Sequence, residues 1–217
     1  RVNTKKTEKS TYAYILLLLT MLFWSGNFIV GKAASMYEIP PFSLNFYRWF
    51  FACLILIPFT IKELIKKKNY IFKNIGFFII LGVTSITIFN SIVYYSLYYT
   101  QVISGVLMIS TIPVWIIFIS SLLNIEKTNI FQILGVGLSL TGVLFIISKA
   151  DLDLVKNLKF NKGDLTMIVA MFSWAVYSAL LKKKQYEISQ ITLLQVVIMC
   201  GLVFLIPIYF IEMNMGY

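Results

Sequence analysis

The chain has 217 residues, 59% of them hydrophobic and 13% charged, where an ordinary soluble domain has roughly 45–50% apolar and about 25% charged residues. With a mean hydropathy of +0.83 there is too little polar surface to cover a water-soluble body, and bilayer hydrocarbon is the natural solvent. The absence of histidine excludes a His-containing triad, an H-E-x-x-H zinc site and an imidazole proton relay; Cys53 and Cys200 sit inside apolar runs as small hydrophobes, so neither metal, cofactor nor disulfide framework is expected.

A bilayer core about 30 Å thick takes about 20 helical residues. Seven apolar runs of about that length follow one another: Ala13 to Ala34, Ser43 to Ile61, Ile75 to Tyr99, Gly105 to Leu123, Phe131 to Ser148, Leu165 to Leu181 and Ile191 to Ile211. They predict helices, because lipid satisfies no backbone polar group and the runs lack the short alternation of barrel strands. The basic leader is read as retained, since the first run exceeds a signal-peptide core and Lys32 stands where a cleavage region needs small neutral residues. The net charge of +10 comes in clusters between the runs, the pattern of a topology signal, and no nucleic-acid partner is expected. One side of the membrane collects thirteen basic residues, among them Lys62, Lys66 to Lys68 and Lys182 to Lys184; the other holds four, Lys149, Lys156, Lys159 and Lys162. The positive-inside rule then puts the N-terminus in the cytoplasm, opposite to seven-helix receptors.

Sliding the chain on itself gives a weak match at a shift of about 150, aligning Trp24 with Trp174 and Lys32 with Lys182. At a shift of 149, Ser43-Leu44 aligns with Thr192-Leu193 and Leu56-Ile57-Pro58 with Leu205-Ile206-Pro207. Five helices precede the repeated unit, and five is odd, so the second copy enters the membrane from the opposite side, as in inverted-repeat transporters. The expectation is an all-α integral membrane protein: seven transmembrane helices of a ten-helix, five-plus-five protein of roughly 300 residues. On that reading residues 1–148 are the leader and first repeat, 149–162 an extracytoplasmic linker, and 163–217 the first two helices of the second repeat. A piece of such a protein, unable to work alone, is the corresponding expectation.

A charge at the bilayer centre costs about 2.5–3.5 kcal/mol on insertion scales, so polar groups inside spans face protein or a water-filled cavity. Along the first helix Thr20, Trp24, Asn27 and Gly31 form a stripe of polar and small groups, read as cavity lining or as helix packing. Arg48 is the strongest candidate in the second helix, with Asn45 on the same face; it is a fixed charge that attracts a substrate carboxylate or phosphate or stabilises the cavity, or a snorkelling side chain that reaches outer headgroups or pairs with Glu38. Thr84, Thr87, Ser91, Tyr94 and Tyr98 share a face of the third helix; Tyr98 and Tyr99 suit an interfacial belt, whereas Thr87, Asn90 and Ser91 lie too deep for one and are read as lining the passage, with Tyr94, or as bonding a neighbour. Pro113 in the fourth run predicts a mid-span bend, as pivot or static kink. Gly135, Ser139 and Gly142 predict a packing face. Trp174, Tyr177 and Ser178, with Gln195 in the last run, are expected to meet the first set at mid-membrane by pseudo-symmetry.

Phe23-Trp24-Ser25-Gly26-Asn27-Phe28, Arg48, Tyr94-Tyr95-Ser96-Leu97-Tyr98-Tyr99-Thr100, Pro113, Glu126-Lys127, and Gly135 with Gly142-Val143 resemble the EamA type of the drug/metabolite transporter superfamily, in order along the entire chain. The resemblance implies a ten-helix inner or plasma membrane carrier, not an enzyme, that exports small metabolites or amino acids, with a small-molecule substrate and the lipid bilayer as partners and a homodimer left open. It also implies a departure: the first-helix glutamate of the superfamily's small multidrug antiporters is matched by Trp24, and no Asp or Glu lies deep in any run. Two alternatives stay open, an organic-phosphate or nucleotide-sugar exchanger, and a scaffold, lipid-handling protein or sensor without a transport cycle.

Overall fold

The computed structural model describes residues 2–125, 129–147 and 161–215, and their regular elements are helices. These are α1 (Val2–Met36), α2 (Pro41–Lys66), the short α3 (Lys68–Lys73), α4 (Ile75–Tyr99), α5 (Val102–Leu122), α6 (Ile130–Ile147), α7 (Lys162–Lys183) and α8 (Gln190–Asn214). Tyr12–Met36 of α1, together with α2, α4, α5, α7 and α8, make six helices long and apolar enough to cross a membrane. The remaining predicted span, Phe131 to Ser148, corresponds to α6, which runs through Ile147, and Ser148 lies outside the described residues. Glu126, Lys127 and all of the predicted linker except its last two residues lie outside the described residues.

Local chemistry sets the helix starts. Pro41 opens α2, where a missing N–H costs nothing. Asn161 and Asp164 form a reciprocal capping box on α7, each side chain accepting the other's backbone N–H at 2.9 and 3.0 Å. Between α7 and α8, Tyr186 donates to the Leu181 carbonyl at 3.0 Å, and burial, with Tyr177 and Tyr70 nearby, pushes its pKa up to about 12, so it stays a neutral donor.

Helix α4 is the axis of the bundle: half of it is buried, and it packs against α1, α2, α5, α7 and α8. Glycine permits the closest approach, to α8. A Cβ added at Gly201 would stand 2.5 Å from the Ile86 Cβ and 2.8 Å from the Gly82 carbonyl oxygen, so the two backbones meet with nothing between them. Within α4, residues Val83–Phe89 form a π-helical segment, and the Asn90 side chain donates to the Ser85 carbonyl five residues back at 2.8 Å. A π-turn inserts one residue into the helical repeat and rotates everything beyond it.

Helices α2 and α8 run antiparallel, each capping the other's N-terminus with a carboxylate from its own last turns. Glu212 accepts the backbone N–H groups of Phe42 and Ser43 at 3.1 and 2.6 Å and the Ser43 hydroxyl at 2.7 Å. Glu63 accepts the Ser189 N–H at 2.9 Å, the Ser189 hydroxyl, and the Thr192 hydroxyl at 2.5 Å. A negative charge at a helix N-terminus satisfies orphan N–H groups and complements the dipole. The shift of 149 that aligns Ser43 with Thr192 also aligns Glu63 with Glu212, so the two clasps are counterparts.

The fourth predicted span differs from expectation. Helix α5 breaks at Ser110 and Thr111, and Pro113 falls in the first turn of its second half, Ile112–Leu122. There the proline forces no bend through an intact helix, because the chain ends one helix and starts another before reaching it. The hydroxyls of Ser110 and Thr111 take up the Leu107 and Met108 carbonyls at 2.5 and 2.6 Å. The predicted packing face of α6 meets nothing within the described chain: a Cβ at Gly135 or Gly142 has no atom within 4 Å, and Ser139 is exposed. The physical reason is placement, since α6 lies at the edge of the bundle against α5.

Candidate functional site

Arg48 carries the site. Its Nη1 donates to the Asn27 side-chain oxygen at 2.8 Å, to the Asn90 side-chain oxygen at 3.0 Å, and to the Tyr94 hydroxyl, which itself donates to Asn27 at 2.5 Å. The guanidinium also lies over the Trp49 ring, 4.7 Å from its centre. Groups from α1, α2 and α4 thus hold one edge of the guanidinium, and among the described residues its Nη2 and Nε have no protein acceptor. The alternative partner Glu38 is not engaged; among the described residues the ion pair is Lys67 with Glu187.

Arg48 lines a cavity of about 480 Å³ between α1, α2, α4, α7 and α8, within the range of small-molecule sites. Its walls are aromatic. Trp24 and Trp174 stand 6.1 Å apart between ring centres, and Trp174 packs on Phe89 at 4.5 Å and on Tyr177 at 5.0 Å. Trp49, Ile86, Leu194 and Val197 complete the apolar lining, with Ser85 and Asn90 as polar points and Thr20, Met21 and Phe23 of α1 contributing as well. Arg48 is the one charged side chain that lines it among the described residues. Lys32, the other cation near a span end, is spent elsewhere: its ammonium donates to the Leu97 and Thr100 carbonyls at 2.8 and 3.0 Å, at the C-terminus of α4.

Of the residues singled out in the sequence, Trp24, Asn27, Arg48, Trp174 and Tyr177 come together around this hollow, and Tyr94 is buried behind Arg48. Four others are spent on holding helices together, a correction to their expected place. The Asn45 amide donates to the Ile86 carbonyl at 2.9 Å and to the Ser91 hydroxyl at 2.8 Å. Thr87 donates to the Gly201 carbonyl at 2.8 Å, and Gln195 to the Cys53 carbonyl and Sγ at 3.3 and 3.1 Å. Ser178 is half-buried on α7 and does not line the cavity. The cavity takes Ser85, Ile86, Phe89 and Asn90 of α4, one face at ordinary i, i+3, i+4 spacing, while Thr87 and Ser91 lie on the adjoining face against α8 and α2. Asn90 carried a signal in its depth within an apolar run; Ser85, Ile86 and Phe89 carried none.

The family model of the EamA-like transporter family matches residues 11–148. An uncharacterized transporter of Archaeoglobus fulgidus is 32% identical over 198 residues, covering 89% of this chain and 65% of its own length. The uncharacterized transporter YyaM of Bacillus subtilis is 28% identical over 77% of this chain and 54% of its own length, and one from Clostridium kluyveri is 25% identical over 79% and 56%. The chain therefore spans between about half and two thirds of the length of these relatives. No solved structure gives a significant match.

Proposed function

The chain belongs to the EamA-like transporter family, and from that membership we propose that it forms the larger part of a secondary carrier that exports small metabolites or amino acids by exposing one central cavity to each side of the membrane in turn. The observation that carries the reading is the guanidinium of Arg48, clamped on one edge by Asn27, Asn90 and Tyr94, without a protein acceptor on the other among the described residues, and lining an aromatic-walled hollow. A substrate carboxylate takes the open edge through charge-assisted hydrogen bonds, which a fixed, weakly hydrated donor makes strong. The apolar part of the substrate lies against Trp24, Trp174 and Phe89. One cation suits a carboxylate better than a phosphate, which recruits several Lys or Arg groups, and the commitment of Lys32 to backbone carbonyls removes the nearest second cation. No covalent chemistry is involved; the work is a change of access, with rocking of the first repeat against α7–α8 as the motion, and the break at Ser110 and Thr111, beside Pro113, lets the second half of α5, which packs on α7, pivot with it.

The full-length carrier that contains this chain, in liposomes loaded with a panel of labelled amino acids and small carboxylates, is expected to show saturable counterflow for at least one. Arg48→Ala lowers that flux tenfold or more, and Arg48→Lys retains a fraction. Absence of saturable flux from folded, inserted protein supports the scaffold reading, and equal flux from the alanine variant removes Arg48 from the site. The basic-residue count puts the N-terminus on the cytoplasmic side; single cysteines placed at Asn69 and Asn157 are expected to label from opposite faces, and labelling from one face reverses the assignment.

A further inference from the structure

A second concavity, of about 610 Å³, lies between the C-terminal turns of α2, the short helix α3 and the middle of α8. Its lining is apolar except at one end: Ile61 and Ile65 of α2 and Met199 and Val203 of α8 form the walls, Phe72 closes one side, and Lys68 is the one charged side chain on it among the described residues. It shares no lining residue with the Arg48 cavity. Ile65, Phe72 and Val203 are each 64–72% exposed, so the groove opens sideways toward the hydrocarbon and is not an internal chamber.

The charge around its end is predominantly positive: Glu63, which lies among the lysines in sequence, is taken up by the Ser189 and Thr192 groups at the start of α8, and Glu187 by Lys67. Lys62, Lys66, Lys67, Lys68 and Lys73 fall within twelve residues; Lys62 and Lys66 follow the groove residues Ile61 and Ile65 in the chain, and Lys68 and Lys73 are the two ends of α3. Of these only Lys67 has an ion pair among the described residues, with Glu187 at 3.5 Å. Among the described residues the other four lysines have no carboxylate partner. An apolar trough that ends in uncompensated ammonium groups at headgroup depth matches one bilayer component, a molecule with an acyl chain continuous with a phosphate.

We propose that this groove binds an anionic phospholipid from the surrounding leaflet, one acyl chain lying between α2 and α8 and the phosphate held by Lys68, with Lys62 and Lys66 adding to the field. A zwitterionic lipid fits the trough as well but carries no net charge for the lysines. The proposal does not rest on the transport reading, since it uses none of the residues around Arg48.

The test is native mass spectrometry of the purified protein in detergent, titrated with phosphatidylglycerol and, separately, phosphatidylcholine of the same chains. The wild type is expected to retain phosphatidylglycerol in preference, and Lys68→Gln to cut that preference roughly fivefold, the change that about 1 kcal/mol per lysine near an anionic surface implies. Val203→Trp, which fills the trough and touches no lysine, is expected to lose retention of both lipids, while glycerol phosphate does not compete. Equal retention of the two lipids by the wild type overturns the proposal, as does a preference unchanged by Lys68→Gln. Competition by glycerol phosphate assigns the lysines to a free phosphate instead, and a shift from dimer to monomer in Val203→Trp assigns the groove to a second copy of the chain. Either result also overturns it.

Discussion

Asn27 and Asn45 are the same residue type on successive helices, yet one borders a hollow and the other is sealed in a wall. Asn45 is fully buried, and its amide ties α2 to the Ile86 carbonyl and Ser91 hydroxyl of α4. Asn27 is half-buried and spends its side-chain oxygen on Arg48 and Tyr94 at the cavity edge. The contrast extends to whole regions. Along the α2–α4–α8 wall, Thr87, Gln195, Glu63 and Glu212 each bond a neighbouring helix. Around the cavity, polar groups bond one another in a way that leaves one edge of a cation unused. Even in the wall, the Asn45 and Gln195 side-chain oxygens are buried without a partner, so the presence of a polar group does not mark a binding site; an open valence facing a cavity does.

The sharpest way to break this comparison is to strike the wall where it is tightest. Gly201→Val places atoms inside the contact distance of Ile86 and Gly82 and is expected to cost about 3 kcal/mol, a fall in Tm of roughly 6–12 °C for a chain of this size, followed by tryptophan fluorescence in micelles. An unchanged Tm would mean that α4 and α8 do not meet as described. The matched pair comes next. Asn45→Ala removes two interhelical bonds and is expected to lower stability by about 1 kcal/mol, or roughly 2–4 °C, with substrate affinity unaltered. Asn27→Ala, with Asn90 and Tyr94 still holding Arg48, is expected to lower Tm by less than half as much while weakening substrate binding in counterflow. The reverse pattern would exchange the roles of wall and cavity. The smallest effect belongs to the bare helix α6, where Gly142→Ala meets no neighbour within 4 Å and removes a helix-interior glycine. Stability should rise by about 0.5–1 kcal/mol, and a fall would place that face against a second body.

The rarity of certain residues made part of the site readable. Tryptophan, asparagine and arginine at helical spacing within apolar runs are conspicuous, and Trp24, Asn27, Arg48 and Trp174 were found that way and do surround one cavity. Polarity misled along α4: Thr87 and Ser91 mark its most polar face, but neighbouring helices take up their hydroxyls, and the cavity is lined by the adjoining face of Ser85, Ile86, Phe89 and Asn90. The carboxylate clasps are not legible in the sequence, for a different reason. Glu63 and Glu212 lie near the polar ends of long apolar runs, where an acidic residue is ordinary, and only their position against the partner helix's N-terminus gives them a role.

What the amino-acid sequence determined alone was the solvent and the scale: hydrocarbon surroundings, helices of bilayer length, their order, and an offset that pairs α2 with α8, because burial of apolar area and backbone hydrogen bonding depend on composition and local pattern. Which polar group serves as structural cement and which faces open volume was decided by the tertiary structure. Each depends on whether another helix supplies an acceptor within about 3 Å, and that is a property of two segments brought together rather than of either one.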